Sequence, residues 1–281
     1  MLRRRSNRAT PPRSLIEQTL AAALDLDLTL DAGRLAQALV DSASHLEELD
    51  AALRGTAGIQ CLLAHQDLAD RLQSWAGQDV ENVNAALVRL RDASWAVHRD
   101  RLRTAAAVRD LARSSNVPGT ATIDAYAAVQ TALSSLDRLE VRGRDSAGIH
   151  VLVTGHGIGS DDPDLAEALH RRASDALFRS GSVRSLDGGR VLGFVYKTAA
   201  EIGELGDNVR ALREAIREDD LLRRAVRAEA AEVTVLGHTR WASVGIISEP
   251  NAHPLEAFEI DGPTEPYVVA ALNGDVDHHV A

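Results

Sequence analysis

Apolar residues recur at helical spacing through the first part of the chain. Leu15, Thr19, Ala22 and Leu26 follow one another at three- and four-residue steps, and Leu35, Leu39, Leu46, Leu49 and Leu53 continue the stripe until Gly55 interrupts it. Side chains spaced in this way share one helix face, so the pattern predicts amphipathic helices. A third run, 80–112, carries Val83, Leu87, Leu90, Ser94, Val97, Leu102, Val108 and Leu111 opposite many Arg–Asp neighbours, the charge pattern of a solvated helix surface. It stops at Ser114-Ser115-Asn116-Val117-Pro118-Gly119, the clearest breaker in the chain. Residues 3–13 are basic, polar and proline-bearing, and are expected to be a mobile lead-in.

Beyond the breaker the period changes. A helix over about 122–139 leads to Ile149-His150-Val151-Leu152-Val153, a strand by its alternation and its β-branched residues. Asp161-Asp162-Pro163 opens a helix expected to reach Phe178, with acidic residues in the first turn as the helix dipole favours. Two short strands over 181–196 flank the Asp187-Gly188-Gly189 turn, residues 199–227 read as a charged helix, and 232–237 and 267–272 read as strands. No repeat of solenoid period occurs. The expectation is an antiparallel or mixed sheet with helices against it, divided as a lead-in over 1–13, a helical insertion or bundle over 14–113 and a mixed domain over 114–281.

Composition narrows the class. At 281 residues and 45% hydrophobic content the chain is able to bury a sizeable core. No apolar run approaches the roughly 18 residues of a membrane span, and the basic Met1-Leu2-Arg3-Arg4-Arg5 start lacks an apolar signal core, so a soluble, cytoplasmic protein is expected. A net charge of -10 argues against general nucleic-acid affinity. Cys61 is the single cysteine, which excludes an intrachain disulfide and a thiolate zinc cluster; its neighbours Ile59, Leu62 and Leu63 place it on an apolar helix, where a core role is expected. Lys197 is the lone lysine among 31 basic residues.

Candidate chemistry concentrates in 236–254, LGHTRWASVGIISEPNAHP. Arg240 follows a strand, so its guanidinium emerges at the strand end, where its planar fork suits a carboxylate. Trp241 is placed to wall a pocket, Ser243 adds a hydroxyl, and Asn251-Ala252-His253-Pro254 sets an amide and an imidazole on a loop constrained by proline. Taken singly, these residues read as an ordinary strand end with a surface arginine and a core tryptophan. The glycine-rich stretch 155–159 lacks a nucleotide-loop fingerprint and reads as a flexible turn, and His278-His279 with Asp275 and Asp277 reads as a frayed end rather than a metal site. No cofactor and no metal are expected.

Taken together, HTRWAS, Gly245, Ser248-Glu249 and NAHP resemble a segment of the class II glutamine amidotransferases, RGRDSAG (142–148) resembles that family's RGYDSAG, and ALNGD (271–275) its oxyanion motif, in the family's order. The likeness covers about 123–281, and Trp241 and His253 favour the glutamine–fructose-6-phosphate transaminase (isomerising) branch. It implies an α+β fold, the αββα sandwich of N-terminal-nucleophile hydrolases, present in part and with a helical insertion near the N-terminus. It also implies that Arg240 pairs with the glutamine α-carboxylate and that Trp241 and Ser243 line the pocket. His253 would order the loop or serve as a hydrogen-bonded structural histidine. The Asn273 amide and the Gly274 N–H would form the oxyanion hole, an arrangement in which losing one donor costs ~3 kcal/mol. Arg142 matches the arginine near the family's nucleophile, with Asp145 and Ser146 shaping its turn.

The departures from the family are specific. Val244 and Leu272 stand where the family has histidines, and the sequence begins Met1-Leu2-Arg3 where the family has an N-terminal cysteine whose α-amino group, of pKa ~8, acts as base. The resemblance therefore implies a piece truncated at both ends and inactive as it stands. Its implied partners are glutamine and a sugar phosphate, fructose 6-phosphate, reached through sugar-isomerase domains outside this chain; a homodimer is compatible with it. The alternative is a pseudo-amidotransferase that binds glutamine without cleaving it, as a regulatory module.

Overall fold

The structure is a computed structural model and describes residues 13–15, 18, 44, 47–67, 70, 92, 95–159, 163–199, 204–242, 245–257 and 267–274. The chain divides into two compact units, 1–109 with 114–120, and 110–113 with 121–281. Described residues of the first unit are largely helical. Residues 47–53 form helix, the chain bends at Arg54 and Gly55, and α1 (Thr56–Ala64) begins with the Gly58 and Ile59 amides donating to the Gly55 carbonyl. Leu49 and Leu53 are buried, as the apolar stripe requires, and so are Ile59 and Leu62 beyond Gly55. Cys61 lies on α1 as expected but is only half-buried, a correction to its core assignment: the stripe turns Ile59 and Leu62 inward and leaves Cys61 at its margin. A π-helical stretch, Ala96–Leu102, runs into α2 (Arg103–Ala112). Burial disfavours the charge on Asp50, yet hydrogen bonds from Arg101 and Arg54 overcome it and hold the carboxyl below its ordinary range.

The second unit is an α+β assembly on an antiparallel sheet. Its described elements are α3 (Thr120–Leu139), a 3-10 turn Glu140–Arg142, β1 (Ser146–Thr154), α4 (Pro163–Ala173), β2 (Val183–Leu186), β3 (Val191–Ala199), α5 (Asp207–Glu218), α6 (Asp220–Ala225), β4 (Glu232–Arg240), β5 (Leu255–Glu256) and β6 (Val269–Ala270). The sheet order is β2-β3-β1-β4, and β5 and β6 pair separately. In β1 the alternation sends Ala147, Ile149, Val151 and Val153 to one face, where Leu136 of α3 packs against Gly237, the register partner of Ile149. Ser146, Gly148, His150 and Leu152 face the opposite way, toward the loop that precedes β5, since the His253 carbonyl lies over Gly148.

The differences from the sequence reading have local causes. The helix from Pro163 ends at Ala173 rather than Phe178, because the Asp175 carboxylate accepts the Leu177 amide at 3.0 Å and the Arg179 amide at 3.2 Å and folds a turn there. The stretch read as helical over 199–227 holds two helices among its described residues. Asp219 divides it, accepting the Leu221 and Leu222 amides at 3.0 Å each as the cap of α6. The strand read over 232–237 runs on to Arg240 through its pairing with β1, whereas the one read over 267–272 shortens to two residues. Among the described residues no helix is long and apolar enough to cross a membrane.

Candidate functional site

The three motifs meet at one end of β1. RGRDSAG is the turn into that strand, and its Asp145 carboxylate accepts the Ala242 amide at 2.7 Å, while the Asp145 amide donates to the Arg240 carbonyl at 3.1 Å. A Cβ on Gly143 would stand 2.9 Å from Thr239 Oγ1 and 3.1 Å from the Thr239 carbonyl carbon, so a larger residue would have to push HTRWA aside. From behind, Asn208 Nδ2 of α5 donates to the Arg144 carbonyl at 2.7 Å, and buried Glu140 accepts the Gly206 amide at 2.6 Å and the Asn208 amide at 3.3 Å. Glu140 thus satisfies orphan donors at the start of α5 while α5 holds the motif turn. Arg142 itself is exposed, on the 3-10 turn. Ser146 is fully buried, and its hydroxyl has no hydrogen-bond partner.

The NAHP loop lies across β1 at Gly148. Register places Lys197 of β3 on one side of Gly148 and His238 of β4 on the other, so the three positions form a row beneath His253. The His238 and His253 rings stack obliquely, with centroids 4.7 Å apart. His253 Nδ1 accepts the Leu272 amide at 3.1 Å, which fixes the backbone immediately before Asn273 and Gly274. Burial, with the charges of His238, Arg240 and Lys197, pushes the pKa of His253 down to about 4, so the ring is neutral near pH 7 and keeps the lone pair this bond needs. Burial also lowers that of His238, opposed by a hydrogen bond with the Leu272 backbone.

The remaining candidates have clear positions. Arg240 lies on the same sheet face as His238, two residues on; its Nη1 donates to the Ile246 carbonyl at 3.4 Å, and Asn251 Nδ2 donates to the same oxygen at 3.1 Å. Gly245, at φ 95°, carries the chain past the guanidinium in a left-handed conformation that suits glycine. Trp241 is 63% exposed, so in this structure it stands out rather than forming a closed wall. Asn273 and Gly274 are exposed at the tip after β6. Ser243 lies outside the described residues, as do Val244, Asp275, Asp277 and the His278-His279 pair.

Several roles here went unread in the sequence. Glu140, Asn208, Lys197 and Glu249 act through backbone groups distant in sequence, and no spacing pattern marks such partners. Beneath the loop lies a buried polar chain: Arg184 grips Glu256 (Nε to Oε1, 2.9 Å), and the Tyr267 hydroxyl lies 3.2 Å from His150 Nε2. Burial, with the Lys197 charge adding to it, pushes the His150 pKa down to about 4. At the far end of β1 the glycine-rich stretch is a loop rather than a helix opening. His156 stays buried in it, accepting the Ile158 amide at 3.0 Å, beside an open pocket of about 360 Å³ that Arg224 and Arg227 also line. Among the described residues no group of three His, Cys, Asp or Glu side chains is arranged to hold a metal ion. Comparison with protein-family models, with curated proteins and with solved structures finds no match to the chain.

Proposed function

We propose that the second unit is a glutamine-handling domain of the class II amidotransferase type, built on part of the αββα sandwich of N-terminal-nucleophile hydrolases. The observation that carries this reading is the convergence of three separated motifs: Asp145 on Ala242, Gly148 under His253, and His253 on Leu272. In this reading Arg240 receives the α-carboxylate of glutamine, with Trp241 and Ser243 lining its pocket. The Asn273 amide and the Gly274 N–H stabilise the oxyanion of the tetrahedral intermediate, and Arg142 borders the nucleophile. The amide nitrogen passes to a sugar phosphate, fructose 6-phosphate by resemblance, through isomerase domains outside this chain.

A second reading is a glutamine-binding module without cleavage, with which Cys61 agrees. It is the only thiol in the sequence, and its nitrogen is a peptide amide inside α1, unable to serve as the α-amino base. Calorimetric titration of L-glutamine onto the full chain tests both readings. Binding that Arg240→Ala abolishes is the expected result; no binding by the native protein at millimolar glutamine overturns the proposal. Glutamate release measured on the same sample would rule out the module, whereas binding without release agrees with both readings, since the first places the nucleophile outside this chain.

A further inference from the structure

We infer that Lys197 and Glu249 are positioning residues that anchor the 245–254 loop to β3 and to the turn before β2, holding the groups that would grip the ligand. Only the ligand identity in this inference rests on the glutamine reading.

Lys197 is the one lysine in the sequence, and at 3% exposure it is buried. It lies on the loop side of β3, directly opposite Gly148. Its ammonium sits 4.9 Å from the centroid of the Phe178 ring and 3.5 Å from the Pro250 carbonyl oxygen, so a buried cation is compensated by a π face and by a carbonyl dipole of the loop. Phe178 is itself fixed, fully buried and at φ 47°, in the turn that Asp175 organises by accepting the Leu177 and Arg179 amides and the Ser182 hydroxyl.

The second attachment closes a ring. The Lys197 amide donates to Ser180 Oγ at 3.1 Å, and the Ser180 amide donates to Glu249 Oε1 at 2.5 Å. Glu249 precedes Pro250, whose carbonyl returns to the Lys197 ammonium. Strand, turn and loop are thereby tied at two adjacent loop residues. The loop then reaches His253 over Gly148, and His253 holds Leu272. Arginine is a poor substitute for Lys197, because its wide planar fork does not reproduce a compact ammonium seated between one ring and one carbonyl.

Hydrogen-exchange mass spectrometry on the full chain tests the anchoring without any ligand. Lys197→Met, which keeps the apolar stem, and Glu249→Ala, which removes the acceptor of the Ser180 amide, are each expected to speed exchange in peptides covering 245–257 and 267–274 by about tenfold, an opening easier by roughly 1.4 kcal/mol, while peptides from α3 and α5 keep native rates. Lys197→Arg is expected to restore part of the protection. Native rates in both loop peptides of Lys197→Met and Glu249→Ala overturn the inference, as does acceleration spread evenly over the whole unit. Should Lys197→Met fail to fold, Glu249→Ala, at a half-exposed position, decides alone. A parallel glutamine titration is expected to show affinity about tenfold weaker in both variants. If the native protein binds no glutamine, the functional reading fails while the exchange data still decide the anchoring.

Discussion

A Cβ on Gly148 would collide with the carbonyl oxygen of His253, so the absence of a side chain at one position of β1 is what admits the NAHP loop to the sheet. Gly148→Ala is expected to destabilise the second unit by about 1–3 kcal/mol, the usual cost of inserting a methyl group into a closed contact. Gly119→Ala, with nothing within 4 Å of the added carbon, is expected to cost far less. Urea denaturation of the two variants checks the contrast, and equal midpoints would refute the close approach.

Asp145 joins two motifs through its carboxylate, 2.7 Å from the Ala242 amide. Asp145→Ala removes this charge-assisted bond and is expected to cost about 1–3 kcal/mol, and Asp145→Asn, which retains an acceptor, less. The local signature is faster amide exchange around Ala242 in the alanine variant, with protection in the asparagine variant closer to native.

Acid is expected to loosen the loop before it unfolds the helices. The pKa values of His150 and His253 are both lowered from 6.5 to about 4 in the folded chain, so between these values the unfolded chain binds more protons. Their contribution to stability is complete above about pH 6.5 and is lost as pH falls toward about 4, with buried His150 accounting for on the order of 3 kcal/mol. Protonation of His253 also removes the acceptor for the Leu272 amide. Denaturant midpoints measured from pH 7.5 to pH 4.5 are expected to fall, and His150→Gln is expected to flatten the slope.

Asp219 concentrates five hydrogen bonds in one buried carboxylate. It caps α6, pairs with Arg172 (Nη1 at 2.9 Å and Nη2 at 2.5 Å) and accepts the Tyr196 hydroxyl at 2.7 Å. Asp219→Ala leaves the part-buried Arg172 guanidinium without its carboxylate and is expected to cost about 3 kcal/mol. Thermal denaturation measures the loss; a variant as stable as the native protein would show the network to be dispensable.

The sequence alone determined most of the elements, because helical and strand periods are local properties of side-chain order. The stripe positions Leu49 and Leu53, the α3 helix and the β1 strand are all legible in this way. Where a side chain turned back on its own backbone, the period misled: Asp175 ended α4 early and Asp219 split α5 from α6. The motif residues Arg240, His253, Asn273 and Gly274 were equally visible as text. What only the tertiary structure decided was their arrangement. The pairing of β1 with β3 and β4 put Lys197, Gly148 and His238 in one row, and the missing Cβ at Gly148 let His253 close over it. Trp241 looked like a pocket wall and stands exposed, because wall formation depends on what packs opposite. Glu140 and Asn208 were silent in the sequence, and Glu249 showed only as part of a motif, for the same reason: each acts on a backbone group that only folding brings within reach.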